Sequence, residues 1–150
     1  MSAGRLLGVD FGRVRVGLAV SDPDRKLAFP LATWERQGGE RDAEHVRGVV
    51  AAEGVVGLVV GLPLRADGSE GDAAAAARAF GAWLGAATGL PVAFWDERYT
   101  SVEAESTLWQ AGLTHKKRKA RRDRVAAQML LQAYLDAGCP PDAGAVPLEG

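Results

Sequence analysis

The stretch that decides the fold is Arg5-Leu-Leu-Gly-Val-Asp-Phe-Gly-Arg-Val-Arg-Val-Gly-Leu-Ala-Val-Ser21, two apolar runs separated by Gly12 and Arg13. Residues 5–11 read as a first strand and residues 14–21 as a second, joined by a tight hairpin turn. In the second run Val14, Val16, Leu18 and Val20 alternate with Arg15, Gly17, Ala19 and Ser21, the pattern of an antiparallel strand with one richer face. Residues 27–33 make a third strand. Pro30 cannot donate to a ladder, so that strand belongs at an edge.

Beyond this meander the periodicity changes. Residues 34–41 form a polar loop with Gly38-Gly39. Residues 42–53 read as a helix with Ala43, Val46, Val49 and Val50 on one side, stopped by Gly54. The run VVGLVVG at 55–61 is a strand apolar enough to be buried on both faces. Residues 62–68 are a loop with Asp67-Gly68 as a turn signal. Residues 72–87 form an Ala-rich helix whose bulky contacts are Phe80, Trp83 and Leu84, with Gly89 past its end. A last strand spans 91–96. Thr100-Ser-Val-Glu103 is a capping box opening a helix that runs to Gly112. A final helix covers 122–137. The order is an α/β sandwich whose five-stranded sheet is antiparallel early and parallel late, flanked by helices. Residues 1–137 are one domain; 138–150, rich in Pro and Gly, read as a disordered tail.

Composition sets further bounds. The chain has 150 residues, 47% hydrophobic and 25% charged, an ordinary soluble balance. The single Cys139 cannot form an intramolecular disulfide, and a reducing cytoplasmic location follows as the expectation. The N-terminal apolar run meets Asp10 too soon for a signal peptide, and no run reaches the roughly 20 residues of a membrane helix. Net charge is −1, but residues 115–124 read HKKRKARRDR, with seven Lys/Arg against one Asp. That segment carries +6 and the remainder −7. Such a concentration of positive charge points to a polyanion partner such as structured RNA or branched DNA; a merely solvated face is the competing reading.

Three acids have a reason to meet. Asp10 ends the first strand inside an apolar run, where a carboxylate is expensive unless paired or metal-bound; a turn-forming Asp is the alternative. Asp96 and Glu97 end the last strand, at the end of an α/β sheet where sites form. Alternation lets only one of them point at Asp10, and spacing does not choose. Asp123 is placed in the first turn of the final helix. There it suits the dipole and shares a stripe with Ala126, Ala127, Leu130 and Tyr134. An ion pair with a neighbouring Arg would also explain it. Clustered carboxylates select Mg²⁺ or Mn²⁺. Two histidines, His45 and His115, and one cysteine are too few for zinc. Two hard cations held by such acids, with bases gripping the backbone, are what phosphodiester hydrolysis requires.

These residues fall in a recognisable set. Gly8-Val-Asp-Phe-Gly12, Arg15-Val-Gly17, Val20-Ser-Asp22, Val60-Gly-Leu-Pro63, Asp96-Glu-Arg-Tyr-Thr-Ser101, and Asp123 followed by Ala126-Ala127 together resemble the YqgF/RuvX family. The blocks run over roughly residues 5–137. The resemblance implies a ribonuclease H-like fold and Asp10, Glu97 and Asp123 as catalytic, metal-binding carboxylates, selecting Glu97 over Asp96. It implies hydrolysis of phosphodiester bonds in nucleic acid. Family members are assigned to maturing the 5′ end of the small-subunit (pre-16S) ribosomal RNA precursor, and alternatively to resolving Holliday junctions. The segment before Asp123 is denser in Lys/Arg than the family leads one to expect, which bears on grip more than on chemistry.

Around the acids, Arg13, Arg15 and Arg98 are candidates to touch phosphate or orient the acids. Lys116, Lys117, Arg118, Lys119, Arg121 and Arg122 read as a mobile loop ordering on nucleic acid, giving affinity without sequence preference. His115 reads as a loop histidine. Thr100 is a helix cap before it is a site residue. Trp34, Trp83, Trp95 and Trp109 read as core or interface residues. A junction resolvase would need two symmetric sites, hence a dimer; the sequence leaves monomer and homodimer open. An actin-like ATPase or sugar-kinase half is disfavoured by length, and a non-catalytic nucleic-acid-binding module by the presence of all three acids.

Overall fold

A computed structural model describes residues 4–97 and 114–140, with only the backbone of His115 and Lys116. The elements are β1 (Arg5–Asp10), β2 (Arg15–Ser21), β3 (Ala28–Glu35), α1 (Gly39–Glu53), β4 (Val55–Leu62), α2 (Asp72–Thr88), β5 (Val92–Asp96) and α3 (His115–Asp136). They form a sheet of order β3-β2-β1-β4-β5. The pairs β1–β2 and β2–β3 are antiparallel, and β1–β4 and β4–β5 are parallel. The mixed five-stranded sheet read from the sequence is therefore the one found. The helix expected at residues 100–112, with Thr100 and Trp109, lies outside the described residues, as does Arg98.

The two faces of the sheet are packed by different helices. On one, Leu7, Val9, Val16, Leu18, Leu58 and Val60 meet Val46, Phe80 and Leu84 of α1 and α2. On the other, Leu6, Ala19, Val59 and Ala93 meet Ala127, Leu131, Tyr134 and Leu135 of α3. The richer face expected of β2, with Val16, Leu18 and Val20, is the one toward α1 and α2, and the other face is covered as well: Val16 to Ser21 are all buried. Gly17 and Ala19 look like the weak face because α3 lies so close that larger side chains would not fit. Val14, expected to start the strand, is exposed in the turn.

β3 is the edge strand that Pro30 foretold, with a register shift where Ala19 pairs Pro30. An edge strand offers unpaired backbone groups. Here α3 caps some of them: Gln132 Oε1 accepts from Ala28 N–H at 2.9 Å and Gln128 Nε2 donates to Ala28 C=O at 3.1 Å. β4 is buried on both faces along most of its length, as its apolar run required.

Helix boundaries shift from those expected. α1 begins at Gly39, not 42. The buried Asp42 reaches back to accept from Gln37 N–H at 2.8 Å, Gly38 N–H at 3.0 Å and Trp34 Nε1–H at 3.1 Å, closing the turn before the helix. Burial pushes its carboxyl up, but these bonds and Arg36 outweigh burial and leave it below the usual range. The larger correction is α3. Lys116, Lys117, Arg118, Lys119, Arg121 and Arg122 are not a loop; with His115 they form the first turns of a 22-residue helix. The Thr114 hydroxyl accepts from Lys117 N–H at 3.1 Å and starts it. Positive charge at a helix N-terminus opposes the dipole, which hides the good intrinsic propensity of Lys, Arg and Ala; the packed C-terminal half carries the segment into the helix. Residues 138–140 close that helix, with Cys139 N–H donating to Tyr134 C=O at 3.0 Å.

Candidate active site

The strand pattern places Asp10 on the α3 face. Leu7 and Val9 point to α1 and α2, so Leu6, Gly8 and Asp10 point to the opposite side. The same parity resolves the choice that spacing left open at the end of β5. Asp96 shares the side of Val92 and Phe94, toward α1 and α2. Glu97 continues the side of Ala93 and Trp95, toward α3. Gly61 of β4, which pairs Trp95, leaves the room Glu97 occupies: a Cβ there would lie 2.4 Å from Glu97 Oε2.

Asp123 arrives from α3, and glycines set how near it comes. A Cβ on Gly17 would lie 2.0 Å from the Asp123 carbonyl oxygen, and one on Gly8 2.8 Å from Leu131 Cβ. Gly17 is also the residue paired with Asp10. The backbone of α3 at Asp123 therefore rests on the strand position opposite Asp10. Asp123 is the ninth residue of α3 and not in its first turn, so the dipole argument for it falls. The expected stripe holds: Ala127, Leu130 and Tyr134 are buried with it, while Ala126 is only half-buried.

The electrostatics record the convergence. The Asp10 carboxyl is pushed up to about 7, by burial first, then by the negative charges of Glu97 and Asp123. Burial and then the charge of Asp96 raise the Glu97 carboxyl. Asp123 has a counter-charge, because Arg15 Nε donates to its Oδ2 at 2.8 Å. The ion pair considered from the sequence is thus present, and its arginine comes from β2. Among the described residues no three His, Cys, Asp or Glu side chains close to metal-ligand distances. The donor set nevertheless fits a hard divalent cation. It offers carboxylate oxygens only, and the crowding that disfavours ionised Asp10 is what a cation relieves.

The remaining candidates divide. Arg13 lies in the exposed β1–β2 turn, where its carbonyl accepts from Arg36. Lys117 and Arg122 are exposed, and Arg118, Lys119 and Arg121 half-buried, along the part of α3 that leads to Asp123. Trp34 is core with Trp83 packed against the same cluster, and Trp95 packs against the cluster on the α3 face, as expected of core residues. Sequence reasoning missed Gly8, Gly17 and Gly61 as site-building residues. Their signal was available: glycine inside a strand marks close approach of something else.

Comparison with known proteins places the chain in a family. The family model described as "RuvX: Holliday junction resolvase" matches residues 4–137. A Rhodopirellula baltica protein named "Putative pre-16S rRNA nuclease" is 44% identical over 136 residues, covering 91% of this chain and 79% of its own. One of the same name from Anaeromyxobacter dehalogenans is 43% identical over 136 residues, covering 91% and 99%. Among solved structures, Thermus thermophilus RuvC in complex with Holliday junction substrate superposes with TM-score 0.55 at 16% identity. The match covers 96% of this chain and 99% of that one, a likeness of fold.

Proposed function

The chain belongs to the RuvX family, and from that premise we propose that it is a metal-dependent nuclease processing the 5′ end of the small-subunit (pre-16S) ribosomal RNA precursor. The observation that carries the reading is the approach of Asp10, Glu97 and Asp123 on one face and at one end of the sheet, with Asp10 held against its own ionisation by burial first and then by the charges of the other two. These three would hold Mg²⁺ or Mn²⁺, two ions in the fullest form. Such ions supply a more acidic bound water and charge neutralisation at the leaving oxygen. The residues of the chain do the rest. Gly17 and Gly61 let α3 and Glu97 approach the strands, so backbone packing would bring the three carboxylates toward one another. Arg13, Arg15 and Arg98 would grip the phosphates flanking the cut. Lys116, Lys117, Arg118, Lys119, Arg121 and Arg122 would extend that grip along the substrate backbone, giving salt-dependent binding with little base preference.

The names of the relatives favour ribosomal RNA precursor as the substrate. The family description supports a second reading, resolution of four-way DNA junctions, which requires two sites in a symmetric dimer. No helix among the described residues is long and apolar enough to cross a membrane, and a cytoplasmic location accords with this chemistry. The test is to incubate the purified chain with labelled precursor RNA and, in parallel, a four-way DNA junction, with Mn²⁺ and with chelator. Cleavage of the RNA that needs metal, and that Asp10→Asn, Glu97→Gln and Asp123→Asn each reduce by about 100-fold or more while the fold survives, is the expected result. Full cleavage by all three variants overturns the assignment. Cleavage of the junction alone, by a dimer, moves it to the second reading.

A further inference from the structure

Arg15 and Asp123 are 108 positions apart in sequence, and each side chain is about three-quarters buried. Their pair joins β2 to α3 beside Asp10. Asp10 pairs Gly17, so Arg15 stands two residues further along the same face of β2, the diagonal position from which a long side chain reaches across strands. The α3 backbone at Asp123 rests on Gly17 and cannot come nearer. Asp123 can therefore join Asp10 and Glu97 more closely only by turning its side chain away from Arg15. Only Nε of Arg15 is engaged; its two terminal nitrogens have no partner among the described residues. A phosphate offers a guanidinium two parallel bonds, a better match than one bond to a carboxylate oxygen.

We propose that Arg15 is a positioning residue that withholds Asp123 from the metal centre until a substrate phosphate takes its guanidinium. Binding of nucleic acid and binding of metal then strengthen each other, since each is linked to breaking the same pair. The proposal rests on the reading of Asp10, Glu97 and Asp123 as metal ligands. It gives the chain a reason to bind metal weakly when no substrate is present, although its acids gather at one end of the sheet.

Calorimetric titration of Mn²⁺ into the full chain tests this without any turnover. The titration is repeated with a short phosphorothioate oligonucleotide that resists cleavage, and circular dichroism confirms that each variant is folded. Without oligonucleotide, Arg15→Gln binds Mn²⁺ about fivefold more tightly than the wild type, the scale of a partly exposed ion pair. The oligonucleotide tightens Mn²⁺ binding in the wild type, and in Arg15→Gln that gain shrinks by about the same factor. Arg15→Lys, which can re-form a pair, falls between. If Arg15 only braces Asp123 in a working position, Arg15→Gln binds Mn²⁺ equally or more weakly, and the proposal is overturned. Asp10→Asn separates the two levels. If it leaves Mn²⁺ binding intact, or if the wild type binds none, the metal-centre reading fails and takes this proposal with it. If it abolishes binding while Arg15→Gln changes nothing, only the proposal is lost.

Discussion

The two faces of the sheet solve different problems. Toward α1 and α2 the strands present Leu7, Val9, Val16, Leu18, Leu58 and Val60, and the helices answer with Val46, Phe80 and Leu84. Toward α3 they present Gly8, Gly17, Ala19, Gly57 and Gly61 among smaller apolar residues. The first face keeps its helices at a distance with bulk and gains stability from buried area. The second gives up volume so that a helix backbone and a carboxylate can lie against the strands. All three candidate acids, and the arginine that pairs one of them, are on the second face. Stability and chemistry are divided between the two sides of one layer.

The sharpest way to break that division is Gly17→Ala. The new methyl group would overlap the Asp123 carbonyl oxygen, and α3 has to lift. A displacement near 1 Å at a site of this kind lowers the rate about 100-fold, and overpacking removes about 1–3 kcal/mol of stability. Cleavage assays and urea unfolding read both losses together. Leu18→Ala, one residue along and on the other face, separates them. It is expected to cost about 2–5 kcal/mol in urea unfolding, while the rate per folded molecule stays within about threefold of wild type, since its cavity opens on the opposite face of the sheet from the acids. A rate loss matching that of Gly17→Ala would show that the two faces are not independent.

The next effect is a gain. An acid whose carboxyl is raised to about 7 in the folded state binds its proton more tightly there than when unfolded. Without metal, stability therefore falls as pH rises from the unfolded carboxylate value toward 7. Asp10→Asn removes the charge and the penalty. In chelator at neutral pH it should unfold about 1–2 kcal/mol later than wild type, and the difference should vanish near pH 4. Equal stability at both pH values would mean that the acids are not crowded. The smallest effect is on the stabilising face. Asp42 is held below the usual carboxylate range, so its contribution is complete above the unfolded value and is lost as pH falls through its own lower one. Asp42→Asn should lower stability by about 1 kcal/mol at pH 7 and by progressively less below pH 4, in thermal melts across that range.

What could be read from the chain depended on how local the cause was. The strands, their antiparallel-then-parallel order and the edge position of β3 follow from periodicity, Pro30 and crossover rules, and each was legible. Asp10 stood out because a charge inside an apolar run is locally anomalous. The helical state of residues 115–121 was not legible, because five Lys and Arg residues at a helix start oppose its dipole, and packing of Ala127, Leu131 and Tyr134 far downstream overrides them. The burial of β2 on its glycine side was missed for a related reason: an alternation of large and small residues looks the same whether the small side faces water or a close-packed helix.

The sequence by itself determined the order of elements and the presence of three carboxylates and a basic segment, since these depend on residue type and spacing along the chain. Spacing left Asp96 and Glu97 open and the resemblance only implied Glu97; the tertiary structure supplied the physical ground, that Glu97 shares the side of Asp10, and showed that Asp123 is paired by Arg15. Those depend on which face a side chain leaves from and on contacts across 108 residues, and no local preference encodes either.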